Sequence, residues 1–300
     1  MPLDQSRGGT LIATIPAGDQ RSVHICVVAG SDQVWHVSLV GRRAILSDVK
    51  VGSVIVPAFH VRPSPPEMTR RPPVALIAHR GMPRLHRENT LPGFLAAMEA
   101  GASGWELDVH GTRDGVVVVH HDAFLPSWAG SLAGRAIVTL DWLDIAAATV
   151  GPAGEVMPTL DTVLAAAGSE LTVYVEVKAP GIDTQVVECL ARHADRRAAV
   201  HSFDHRIAKS IHARSARPAG VLTDSYLIDA GHALRAADAR DFWPHREMVD
   251  QALVDDIHAA GGRVIAWTVN DVADARRLWQ LGVDGLCSDV VDELRDALLA

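Results

Sequence analysis

Apolar and polar positions follow two rhythms along this chain, and the change falls near residue 74. Before it, Leu11–Ile15, Ser22–Val28, Gln33–Val40 and Val51–His60 are β-branched, roughly alternating runs separated by Gly and Asp, with no helical period. They predict a small antiparallel β module over residues 1–61. Residues 62–73 carry five prolines, which remove backbone donors and favour extended chain, so a linker is expected there. From Val74 onward, short apolar runs alternate with stretches of helical period. Strands are expected at 74–78, 104–108, 172–177, 198–203, 219–223, 240–243, 263–269 and 284–288. Helices are expected at 91–100, 160–167, 184–193, 205–213, 227–237, 249–260, 272–281 and 291–299. A strand followed by a helix, eight times over, predicts an α/β fold in which residues 74–300 form a (β/α)8 TIM-type barrel, with the small all-β module ahead of it.

In such a barrel the active site is built at the C-terminal ends of the strands, and the polar residues collect there. His79-Arg80 follows the first strand, Glu106 and Asp108 end the second, Glu176 and Lys178 end the third, Trp267 ends the seventh and Ser288-Asp289 the eighth. A further run at 116–119 ends in His120-His121-Asp122. Side chains two apart on a strand share a face, so Glu106 and Asp108 project together. Convergent carboxylates repel unless a cation or proton lies between them, and hard oxygen donors suit Mg²⁺ or Ca²⁺ better than Zn²⁺. One divalent cation is the expected cofactor.

Composition narrows the partners. A chain of 300 residues that is 48% hydrophobic can bury a large core. A net charge of −8, with no long basic run, argues against broad binding to nucleic acid or an anionic membrane. Cys26, Cys189 and Cys287 lie far apart in apolar contexts and read as buried thiols. His24, His36 and His60, with Trp35, show no metal-ligand spacing. The start of the chain lacks an apolar signal region and no 18-residue apolar run occurs, so a cytoplasmic protein without stable membrane insertion is expected. A homo-oligomer stays open.

The motifs resemble those of the glycerophosphodiester phosphodiesterases. The resemblance rests on His79-Arg80-Gly81, Glu88-Asn89-Thr90, Phe94, Glu106-x-Asp108, Thr112-x-Asp114-Gly115 and His121-Asp122. It continues through Met157-Pro-Thr-Leu160, Glu176-Val-Lys178, Ser202-Phe203, Trp267-Thr-Val-Asn270 and Gly282-Val-Asp-Gly285 to Ser288-Asp289. It covers about residues 74–300 and implies metal-dependent hydrolysis of a small-molecule glycerophosphodiester to glycerol 3-phosphate and an alcohol. By motif position it implies metal binding by Glu106, Asp108 and Glu176, acid/base work by His79 and His121, and phosphate contacts from Arg80 and Lys178. The stretch Phe124-Leu-Pro-Ser-Trp-Ala-Gly130 lacks the arginine usual after this histidine, which bears on headgroup selectivity more than on catalysis.

Blander readings compete residue by residue. A lone Glu-x-Asp is usually a solvated strand edge, and the accompanying histidines reverse that. Trp267 is packing or a wall for glycerol, His120 is structural, Asn89 or Thr90 caps the helix at Leu91, Phe94 is core, and Asp289 caps the last helix. Two other functions stay in view. One is a lysophospholipase-D-like activity, for which the sequence shows no strong apolar rim; the other is a catalytically idle barrel used as a binding module.

Overall fold

The computed structural model describes residues 74–299 throughout and, ahead of them, the backbone of short strands between residues 23 and 55. The chain divides into two compact units, Met1–Arg71 and Pro72–Ala300. In the first, β1 (Val23–Val28), β2 (Val34–Val40) and β3 (Arg43–Ile45) form an antiparallel sheet, and β4 (Lys50–Val51) pairs with β5 (Val54–Ile55). The alternating runs at 22–28 and 33–40 are therefore the two arms of a hairpin. The run at 11–15, residues 56–60 and the linker at 62–73 lie outside the described residues, as do the side chains of Cys26, His24, His36 and His60.

In the second unit eight parallel strands close into a barrel: β6 (Ala75–His79), β7 (Gly104–Gly111), β9 (Thr172–Val177), β10 (Arg197–Ser202), β11 (Ala219–Thr223), β12 (Asp241–Pro244), β13 (Arg263–Ala266) and β14 (Gly285–Ser288). β6 pairs with both β14 and β7, which completes the ring. Helices α1 (Leu91–Glu99), α3 (Leu160–Ala166), α4 (Asp183–Arg192), α5 (His205–Ser215), α6 (Ala230–Ala236), α7 (Gln251–Ala259), α8 (Val272–Leu281) and α9 (Val291–Leu299) follow the strands in turn. The strands are apolar on both faces because one packs on helices and the other fills the barrel. Outside, Phe94, Trp105, Leu107, Val221 and Leu278 belong to the large core, with the Phe94 and Trp105 rings 5.3 Å apart. Inside, Ile77, Tyr174, Leu222, Trp243, Ile265 and Cys287 form a second cluster. At the starts of β12 and β13, Arg263 Nε donates to Asp241 at 2.8 Å and its terminal nitrogen reaches the Tyr174 hydroxyl at 3.3 Å. The opposite end is left for chemistry.

Aspartates set several helix starts. Asp204, Asp229, Asp250 and Asp271 each accept a backbone N–H from the first turn of the helix they precede. The cap at Asp229 starts α6 at Ala230, three residues later than periodicity suggests, and leaves Leu227 and Ile228 in the preceding loop.

Between β7 and α3 the ring carries an insertion. β8 (Val117–Val119) folds back antiparallel on β7, and short 3₁₀ turns and α2 (Trp142–Ile145) follow. Val118, Leu125, Ile137, Leu140, Ile145 and Met157 give it a core of its own. β8 is the apolar run at 116–119, used as a hairpin arm and not as a barrel stave.

Candidate active site

β6 ends at His79, and the turn that follows is tight. Arg80 and Gly81 both take left-handed backbone, with φ of 54° and 90°. A Cβ on Gly81 would lie 2.7 Å from the Gly93 carbonyl carbon in α1, so no side chain fits there. The turn aims Arg80 back across the barrel mouth, where Nε lies 3.0 Å from Asp108 and a terminal nitrogen donates to Glu88 at 3.3 Å. Asn89, also in left-handed backbone, is buried and donates to Asp108 at 2.8 Å. Asn89 therefore does not cap α1. Thr90 occupies the cap position, but its hydroxyl donates to the Arg87 carbonyl and makes no cap bond.

Strand periodicity puts Glu106 and Asp108 on one side of β7, and both face the Arg80 turn: the Arg80 amide donates to Glu106 at 3.3 Å. Asp108 and Glu176 are register partners on adjacent strands, and Lys178 Nζ bridges them at 3.4 and 3.1 Å. Burial would raise the Asp108 pKa, but Arg80 and Lys178 outweigh it and hold the carboxyl below the usual range. Burial, reinforced by the charges of Asp108 and Glu106, pushes Glu176 the other way. Among the described residues, the group near enough to share one metal ion is Glu106, Glu176 and His201, with donor atoms within 4.8 Å of one another. Asp108 stands outside that group, held by Asn89, Arg80 and Lys178.

The histidines complete the mouth. His79 Nδ1 meets Asp289 at 2.7 Å, and Asn270 fixes the other Asp289 oxygen at 2.6 Å. Burial alone would lower the His79 pKa, yet the Asp289 hydrogen bond and the Glu106 charge leave it above its ordinary value. Asp289 thus grips a histidine, a role that its expected place as a helix cap does not suggest. His121 Nδ1 meets Asp122 at 2.8 Å. His120 is buried, with Nδ1 bonded to the Asp122 backbone, in keeping with a structural part. Trp267 Nε1 donates to the Trp243 carbonyl at 3.0 Å, and Phe203 stands edge-on to its ring at 5.7 Å.

His79, Arg80, Glu106, His121, Glu176, Lys178 and Trp267 all line one cavity of about 180 Å³, and His201 and Phe203 line it with them. Of the residues expected to form the site, Asp108 alone lies behind the wall. His201 is the titratable lining residue that sequence reasoning missed, beside the apolar walls Leu222, Trp243 and Cys287; its place at the end of a strand was the available signal.

Comparison with known proteins gives the family. Residues 79–293 match the model of the glycerophosphoryl diester phosphodiesterase family. The chain belongs to this family. "Probable glycerophosphodiester phosphodiesterase 2" of Mycobacterium tuberculosis is 34% identical over 242 residues, 75% of this chain and 90% of that protein. A glycerophosphodiester phosphodiesterase of Caldanaerobacter subterraneus is 30% identical over 227 residues, covering 71% and 93% of the two chains. Among solved structures, an Oleispira antarctica phosphodiesterase in complex with the product sn-glycerol-3-phosphate superposes with a TM-score of 0.70 at 25% identity, over 76% of this chain and 97% of that one. The first 78 residues of the chain lie outside the family match. Among the described residues no helix is long and apolar enough to cross a membrane.

Proposed function

We propose that the protein hydrolyses glycerophosphodiesters to glycerol 3-phosphate and an alcohol, with a divalent cation and two-histidine acid/base catalysis. The observation that carries this reading is one cavity lined by the imidazoles of His79, His121 and His201, two cationic side chains and two buried carboxylates. A phosphodiester anion enters where Arg80 and Lys178 offset the negative walls, and both can neutralise charge that grows on the phosphoryl oxygens. Nδ1 of His79 and of His121 is occupied by a carboxylate, which leaves Nε2 of each ring for substrate. One ring removes the proton of the attacking hydroxyl, from water or from a neighbouring glycerol hydroxyl, and the other protonates the leaving alkoxide. Trp267 walls the glycerol moiety.

The donors present fit a cation. Glu106 and Glu176 are buried acids near one another, and Asp108 Oδ1 is buried without a hydrogen-bond partner. Such an ion would supply electrophilic charge to the phosphoryl group. Glu106 and Glu176 would hold it, and Asp108 would join them once Lys178 yields its carboxylate. The carboxylate oxygens by themselves suit Mg²⁺ or Ca²⁺.

A second reading, hydrolysis of lysophospholipids, draws on the loops after β10 and β11, where Phe203, Tyr226 and Ile228 are 45%, 75% and 108% exposed. The sequence gives no periodic sign of this apolar rim. One assay separates the readings: glycerol 3-phosphate release from glycerophosphocholine, with and without EDTA, beside a lysophosphatidylcholine arm. Hydrolysis of glycerophosphocholine that EDTA abolishes is expected. Faster turnover of the lysolipid would transfer the assignment to the second reading, and EDTA-resistant turnover would remove the cation. His79→Ala should abolish turnover with little change in melting temperature; a variant that keeps most of its rate takes His79 out of the chemistry.

A further inference from the structure

We propose that His201 is a nitrogen donor to the cation, beside Glu106 and Glu176, so that the site favours a first-row transition ion such as Mn²⁺ over Ca²⁺. The inference rests on the metal-dependent reading above and deepens it by naming the donor set and the class of ion. His201 and Glu176 are register partners on β10 and β9, so their side chains rise from the same level inside the barrel. His201 is 2% exposed and its ring lies flat on Trp243, with centroids 4.4 Å apart and planes 10° from parallel. That stacking fixes the plane of the imidazole. Nδ1 is buried and has no hydrogen-bond partner. Nε2 lies 3.7 Å from Glu106 Oε1.

That last separation carries the argument. It is too long for an N–H···O hydrogen bond, which closes to about 2.7–3.2 Å. It suits two donors on one ion, since ligands each about 2.0–2.5 Å from a metal lie roughly 3–4 Å from one another. His201 therefore stands within ion-pair distance of Glu106 but makes no hydrogen bond to it. Asp108, the oxygen donor that strand periodicity offers for this place, is meanwhile held by Asn89, Arg80 and Lys178. An imidazole beside the Glu106 and Glu176 carboxylates adds a borderline nitrogen to the donor set. First-row transition ions gain affinity from that nitrogen, whereas Ca²⁺, which takes oxygen ligands, gains little.

The test uses the metal ions alone on the full chain. Mn²⁺ bound to the wild type should show electron spin-echo modulation from a directly coordinated nitrogen. His201→Gln should erase that modulation and weaken Mn²⁺ by about tenfold or more, while Ca²⁺ affinity by calorimetry changes less than about threefold. Melting curves confirm that the variant is folded, and the wild-type spectrum stands without any variant. Mn²⁺ bound in the Glu106–Glu176 pocket with no nitrogen modulation overturns the His201 assignment and leaves the metal reading in place. Failure of the wild type to bind either ion, or binding that survives Glu106→Gln and Glu176→Gln together, overturns the metal site itself and this inference with it.

Discussion

His79 and Asp289 are 210 positions apart in the chain, yet their side chains meet at 2.7 Å because β6 and β14 are neighbours in the closed ring. The Asp289 carboxylate orients the imidazole and raises its pKa against the opposing effect of burial. Asp289→Asn removes the charge and keeps the shape, so burial then prevails and the His79 pKa falls. The limb of the pH profile governed by His79 should move to lower pH, whether that ring acts as acid or base. With the ring less firmly aimed, kcat/KM should drop roughly 100-fold. A pH profile of the variant that superimposes on the wild type would show that Asp289 does not act through His79. At this scale the sequence is informative where chemistry repeats with strand period: Glu106 with Asp108, and Glu176 with Lys178, share faces as alternation requires. It is silent on which carboxylates converge, because that depends on register between strands. Hence the sequence does not show that Lys178 bridges Asp108 and Glu176, or that His201, in an otherwise ordinary apolar strand, lines the same cavity.

Two element boundaries make a matched pair of experiments. Gly81 ends β6 in left-handed backbone against Gly93, so Gly81→Ala introduces both strain and a backbone clash. Its cost should be about 1–3 kcal/mol, and because Arg80 sits on the same turn, kcat/KM should fall as well. Asp250 starts α7 by accepting the Leu253 N–H at 2.8 Å, away from the cavity. Asp250→Ala should cost about 1 kcal/mol and leave kcat alone. Thermal melts and steady-state kinetics on both variants check this; equal kinetic loss in the two would mean that the Gly81 turn has no special part in placing Arg80. Such boundaries are legible because Gly and Asp act locally. The eight staves and their helices are legible for a related reason, since apolar runs and helical period survive without knowledge of partners. The insertion after β7 is not, because its 3₁₀ turns and single-turn α2 are too short to express a period, and its own core forms only through contacts among them.

At the scale of the molecule, a net charge of −8 coexists with a cavity lined by Arg80 and Lys178, so the positive charge on which the proposed function draws is local and not a property of the whole surface. Every residue described as lining that cavity falls between His79 and Cys287, inside the unit Pro72–Ala300. The M. tuberculosis and C. subterraneus relatives are matched over 90% and 93% of their own lengths by 75% and 71% of this chain. The family's barrel is thus present apart from the residues at 1–71, and its eight strands close on themselves without any strand from that unit. A chain beginning at Pro72 should therefore fold cooperatively and hydrolyse glycerophosphocholine with kcat/KM within a few-fold of the full-length protein. Circular dichroism melts and the glycerol 3-phosphate assay on both chains provide the comparison. A folded truncation that has lost most of its activity would mean that the first unit contributes to the site, and the catalytic module would then have to be drawn over the entire chain.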